Sequence, residues 1–138
     1  DGKNLKPNPS GWSAFGLKDE NKKFGIGVST PREMARVIEM LDKGQLVSAE
    51  ASKEMLAIMA RQQYKDGIGR SAEGFRVASK SGSLDALRSD VGLLVRGAEK
   101  YAIAITVDGM PKTDYSADNA GNILISKLTA LLVERLRN

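Results

Sequence analysis

"FRVASKSGSLDALRSDVGLLV", Phe75 to Val95, is the stretch from which the rest of the chain is best read. From Phe75 the hydrophobic period becomes that of a strand, and the stretch reads as strand, turn and second strand. The first strand ends in Lys80-Ser81-Gly82-Ser83. If its edge lines a cleft, Lys80 supplies a fixed positive charge for a carboxylate. Ser81 supplies a hydroxyl that can donate to the same carboxylate. Gly82 has no side chain to obstruct a ligand lying along the strand. The Ser83 N–H is then free to face a developing oxyanion, a role worth ~3 kcal/mol in a preorganised site. Taken alone, the same four residues also suit a surface strand that runs into a loop.

The following segments extend the sheet. Residues 89–96 and 100–107 flank Gly97-Ala98-Glu99-Lys100 and read as an antiparallel hairpin with Gly97 in the turn. In the last strand Tyr101, Ile103, Ile105 and Val107 alternate with Ala102, Ala104 and Thr106, a pattern suited to a sheet covered on both faces.

Helix signals lie on either side. Thr30, Pro31 and Glu33 form a capping box with proline at the first helical position. Met34, Val37, Ile38 and Leu41 follow at helical spacing, and Gly44 suits the stop. Ser48 is placed to cap a second helix with Met55, Ile58 and Met59 as its stripe, broken at Asp66-Gly67. A closing helix is expected from about Ser116, with Ile125, Leu128, Leu132 and Leu136 facing the sheet and Leu124 and Leu131 widening the stripe. Residues 1–28 read as an irregular loop docked by Trp12 and Phe15, and residues 29–138 as the structured part. The order helix, helix, three strands, helix predicts an α+β domain with an antiparallel sheet.

Composition narrows the function classes. A chain of 138 residues is long enough for one domain that buries roughly two-thirds of its unfolded surface. Its 21 Lys and Arg against 17 Asp and Glu give a net charge of +4, scattered rather than gathered into a basic block with aromatics, so nucleic acid is not the expected partner. The absence of cysteine removes thiol nucleophiles and thiolate metal sites, and the absence of histidine removes Ser-His-Asp and Cys-His chemistry from these residues. No metal or cofactor is implied. No apolar run approaches the ~18 residues of a membrane span.

The stretch "VASKSGSLDALRSDVGLLV" resembles the third-motif strand and following hairpin of the penicillin-recognising serine hydrolases, class A serine β-lactamases above all, whose motif is Lys-[Thr/Ser]-Gly. "STPREMARVIEMLDKGQLVSAEASKEMLAIMARQQ" resembles the two helices after that family's omega loop, and "GIGR" the link into the motif strand. Segments from about residue 24 to 136 follow the family's order. The resemblance implies a β-lactamase/transpeptidase-like α+β fold, present as its C-terminal portion, with residues 1–28 as a loop region following or including the end of the omega loop. It implies β-lactam hydrolysis through an acyl-enzyme, or a D,D-peptidase-like reaction on peptidoglycan-like substrates. A non-catalytic module that retains the fold is the remaining reading. A periplasmic or secreted location follows from the resemblance.

Residue by residue, Lys80, Ser81 and Gly82 match the third motif, and Ser83 the position whose backbone N–H forms half the oxyanion hole. Arg88 stands near where some members place an arginine for the substrate carboxylate, which implies a substrate-binding role; a solvated hairpin arginine is the equal alternative. Asp90 fits a structural polar position, and Arg70 a partner for a carboxylate in the core or cleft. The family's nucleophilic Ser-x-x-Lys does not occur in this sequence. Ser116-Ala117-Asp118-Asn119 holds the letters of the Ser-Asp-Asn motif with an insertion, but its position suits a helix cap. Glu20 lacks the surroundings of the omega-loop base. The chain is therefore expected to need an N-terminal half of the same protein, or a second copy of itself, and to be inactive alone.

Overall fold

A computed structural model describes residues 18–20 and 29–137. Residues 1–30 and 31–138 form separate compact units. In the first, Asp19 and Glu20 lie in a short 3-10 turn and are exposed. Trp12, Phe15 and most of the expected loop over residues 1–28 lie outside the described residues.

The second unit is built in the order α1 Pro31–Asp42, α2 Ala49–Ala60, α3 Ile68–Ser71, β1 Arg76–Leu84, β2 Leu87–Arg96, β3 Glu99–Val107 and α4 Ala120–Arg137. The strands form an antiparallel sheet in the order β1-β2-β3, joined by the turns Asp85-Ala86 and Gly97-Ala98. Gly97 adopts φ +60, the left-handed conformation its hairpin turn uses.

Because strand side chains alternate between faces, the sheet carries two cores. On one face Leu94 and Ile103 join Ile68, Ala72, Ile125 and Val133, with Val77, Tyr101, Ile105 and Val107 packed around them. On the other, Val91 and Leu93 meet Ile38 and Leu41, with Ala104, Met34, Met55, Leu56 and Met59. The large and small alternation in β3 thus serves two layers, as its sequence suggested. α1 closes at Gly44, φ +67, and α2 opens on Ser48, whose Oγ accepts from Ala51 N–H at 3.1 Å.

The helices differ from expectation in which residues they bury. In α2 the inward line is Ser52, Leu56 and Met59 with Met55, while Ile58 is 56% exposed. Ser52 is the anchor: its hydroxyl donates to Leu46 O at 2.7 Å and accepts from Leu46 N–H at 3.2 Å, so the face that holds it turns Ile58 outward. α2 also ends at Ala60, before the expected break at Asp66-Gly67. In α4 Leu136 is half-buried, and Ile125 is buried, as expected, with Gly121, Ser126, Thr129 and Val133. These mostly small residues let the helix lie close to α3 and the sheet. Leu124, Leu128, Leu131 and Leu132 are left exposed.

Close strand approach also fixes the sheet. A Cβ on Gly92 would lie 2.6 Å from Ala78 O and 2.7 Å from Ser79 Cβ. Gly92→Ala is expected to prise β1 from β2 and cost about 1–3 kcal/mol, as overpacking does, read as a lowered urea midpoint with an unchanged slope.

Candidate active site

The motif strand lies at one edge of the described sheet, and the register fixes what faces what. Lys80 pairs with Val91, Ser81 with Asp90, Gly82 with Ser89 and Ser83 with Arg88. Ser81 N–H donates away from β2, to Gln62 Oε1 at 3.2 Å. Backbone groups two residues apart along a strand point the same way, so the Ser83 N–H also faces outward from the sheet. Among the described residues nothing bonds to it. It is thereby available to an acceptor lying beside the strand.

A cleft of about 300 Å³ runs beside this edge, lined in part by Lys80, Ser81, Ser83, Arg88, Asp90 and Asn119. Lys80 is exposed, and its ammonium donates to the Ser81 carbonyl on the outward edge. At Gly82 an added Cβ would meet nothing within 4 Å, so this stretch of strand is open to an approaching molecule.

Arg88 is only 1% exposed, which overturns the expectation of a solvated hairpin arginine. Its guanidinium donates to the carbonyls of Leu84, Leu87 (2.6 Å) and Asp114, and lies 4.7 Å from the centre of the Tyr115 ring. Leu84 and Leu87 bracket the Asp85-Ala86 turn, so Arg88 holds the hairpin tip from inside. Gly121 makes the room, since a Cβ there would lie 2.6 Å from Arg88 Cγ. Tyr115 in turn donates to Asp85 Oδ1 at 2.7 Å, and this bond raises the phenol's pKa. With its donors on carbonyl dipoles, Arg88 contributes a positive field to the cleft wall; Lys80 adds a second cation. Asp66 and Asp90 set two carboxylates on the same lining, so the cleft is polar and of mixed charge.

Asp90 lies beneath them, 1% exposed. Its Oδ2 accepts from Ile68 N–H at 2.9 Å, and Oδ1 is buried without a hydrogen-bond partner. Burial raises its pKa above the ordinary 3.8, opposed by the Ile68 N–H and more weakly by the charge of Lys80. Gly67 permits this geometry, because a Cβ there would fall 2.6 Å from Asp90 Oδ2. Asp90 therefore ties the α3 link to the motif hairpin.

Two weaker expectations also have clear positions. Arg70 pairs with Asp118 at 2.8 Å and donates to Ala117 O at 3.2 Å, and because the Asp118 side chain is 80% exposed the pair lies at the surface rather than in the core or cleft. Asn119 Oδ1 accepts from Asn122 N–H at 2.9 Å, so Ser116–Asn119 caps α4 as its position suggested. Gln62 was not singled out in the sequence. Nothing in its spacing marks it, because its role depends on where the chain leaves α2.

Three antiparallel strands between helix layers, with Lys-Ser-Gly on the outer strand, define the β-lactamase/transpeptidase-like fold. The chain belongs to the beta-lactamase enzyme family, whose profile matches residues 8–136. It is similar to the β-lactamase from Sphaerobacter thermophilus DSM 20745 at 30% identity and TM-score 0.68, over 78% of this chain and 40% of that one. A class A β-lactamase from Bacteroides cellulosilyticus DSM 14838 matches at 27% identity and TM-score 0.64, over 78% and 41%. PBP-A shares the fold at 19% identity and TM-score 0.70, over 85% and 43%. The chain thus spans less than half the length of each of these solved structures. Among curated proteins none matches it.

Asp90 generates a pH-dependent prediction. Its raised folded pKa means that the folded chain binds more protons than the unfolded chain above pH 3.8. The cost of ionising it grows as pH rises through that window and is fully present above the folded pKa. Asp90→Asn is expected to raise Tm at pH 7 and to lose that advantage as pH falls to 3.8. Tm measured against pH for both proteins checks it.

Proposed function

We propose that this chain supplies the carboxylate-binding wall and half the oxyanion hole of a class A type β-lactam hydrolase. The observation that carries the reading is the outward, unbonded Ser83 N–H beside Lys80 and Ser81 on the wall of one polar cleft. In this reading a substrate carboxylate sits at Lys80 Nζ and Ser81 Oγ, drawn also by the field of Arg88. The β-lactam carbonyl then lies at Ser83. A serine hydroxyl from the absent half attacks the carbonyl carbon, and the oxygen that becomes negative accepts from the Ser83 N–H. Collapse breaks the ring C–N bond, the nitrogen takes a proton, and an acyl-enzyme ester remains. Water then cleaves the ester and restores the serine.

The other half is expected to cover two surfaces. Leu124, Leu128, Leu131 and Leu132 form an exposed apolar row on α4, and β3 ends the described sheet with an open edge. Unpaired edges and apolar patches of this kind are normally covered. The span of under half the neighbours' length supports an N-terminal half of the same protein as the cover, with a second copy of the chain as the alternative. A periplasmic or extracellular location fits this reading, since β-lactams and peptidoglycan-like substrates are met there. A D,D-peptidase would use the same wall; it differs in hydrolysing its acyl-enzyme slowly when the acyl group comes from a β-lactam.

Alone, the chain is expected to leave a chromogenic cephalosporin intact, and mixing with the N-terminal half should produce turnover. Lys80→Ala should then lower kcat/KM by roughly 10- to 100-fold, the worth of a charge-assisted hydrogen bond. Turnover by the isolated chain, or an unimpaired Lys80→Ala enzyme, would refute the assignment. A stable acyl-enzyme in the assembled protein, seen by mass spectrometry, would favour the peptidase.

A further inference from the structure

The outward edge of β1 borders two clefts. One is the polar cleft at Lys80–Ser83. The other, about 620 Å³, runs beside the beginning of the strand and is lined by Leu56, Met59, Phe75, Val77 and Leu93 among others. Tyr64 lines both, and Gln62 lines the larger one while bonding to Ser81, which lines the polar one. From there Gln62 Oε1 accepts the Ser81 N–H at 3.2 Å while its Nε2 donates to Ser79 Oγ at 2.9 Å. The Ser81 carbonyl takes the Lys80 ammonium. The outward N–H and C=O of Ser81 are therefore both occupied by side chains of this chain, whereas the N–H of Ser83 is open.

We infer that Gln62 is a specificity-determining residue that ends the ligand at Ser81 and confines the enzyme to substrates with a free terminal carboxylate. The inference rests on the function proposed above, which orders the ligand along β1 with its reacting carbonyl at Ser83 and its carboxylate at Lys80 and Ser81. A ligand that continued past the carboxylate would follow the edge toward Ser79. It would need the Ser81 N–H that Gln62 holds, as an added strand would. It would also need to pass the Gln62 side chain to enter the larger cleft. A carboxylate terminus needs neither, so the amide excludes extended ligands without weakening the ones that fit. Past this barrier the apolar residues of the larger cleft offer wall between the charged Asp42, Lys65, Arg76 and Lys100, so an extension with an apolar side chain and a polar amide end suits the test.

The test uses the enzyme assembled with its N-terminal half and two substrates: a cephalosporin free acid, and the same cephalosporin with its carboxyl joined as an amide to leucinamide. In Gln62→Ala, kcat/KM for the amide is expected to rise about tenfold, while that for the free acid changes less than about threefold. Gln62→Asn, too short to reach both partners, should shift the ratio the same way by a smaller factor. General damage to the fold would lower both rates, so only release of a barrier raises one. An amide rate that stays level or falls in both variants, with Lys80→Ala still impairing the free acid, overturns the role of Gln62. A Lys80→Ala enzyme with full free-acid turnover overturns the underlying site instead.

Discussion

The pairing of Ser81 with Asp90 and Ser83 with Arg88 is the constraint on which the site depends. A strand alternates the direction of its backbone groups as strictly as that of its side chains. In this register the N–H groups of Ser81 and Ser83 face away from β2. A slip of one residue would turn both into the ladder and carry the side chains of Lys80 and Ser81 to opposite faces. The register is secured at both ends of the motif. Gly92 lets β1 approach closely behind it, and Arg88 grips the carbonyls on either side of the Asp85-Ala86 turn ahead of it.

Polar burial around this register is concentrated and asymmetric. Arg88 and Asp90 are both 1% exposed, two residues apart on β2, and each is held mainly by main-chain groups. Asp90 joins the α3 link to the hairpin, and Arg88 joins the hairpin to the segment before α4. Separate stretches of chain are thereby fastened to one strand directly behind the motif. Small residues at 67 and 121 are the steric condition for both contacts. The cleft owes its shape to them as much as to the residues that line it.

Much of the fold was legible in the sequence because periodicity reports directly on burial. The three strands, the first helix with Gly44 at its end, and the cap at Ser48 lie where local pattern places them. The helix interiors were less legible. Leucine counts as core by hydrophobicity alone, yet α4 turns Gly121, Ser126 and Thr129 inward, because close packing against the sheet selects size over hydrophobicity. Ile58 was misplaced for a related reason, the inward hydroxyl of Ser52 setting the face of α2. At the site, Lys80, Ser81 and Ser83 were readable from one motif and are brought to one cleft wall. Gln62 was not, since its contact joins residues 17 and 19 positions apart across two clefts, and neither residue type nor local spacing encodes that reach.

The two-sided character of α4 bears on how substitutions in it should be interpreted. Its inner residues are judged by this chain alone, whereas Leu124, Leu128, Leu131 and Leu132 remain largely open to solvent among the described residues. Tolerance along the helix is therefore conditional. A polar side chain at Leu128 or Leu131 should pass unnoticed, or even improve solubility, in the chain by itself, and become harmful only in an assembly of the kind proposed, in which another half covers the outer row. The difference in mutational sensitivity between the two faces is then a gauge of assembly, one that needs no substrate and no knowledge of the reaction.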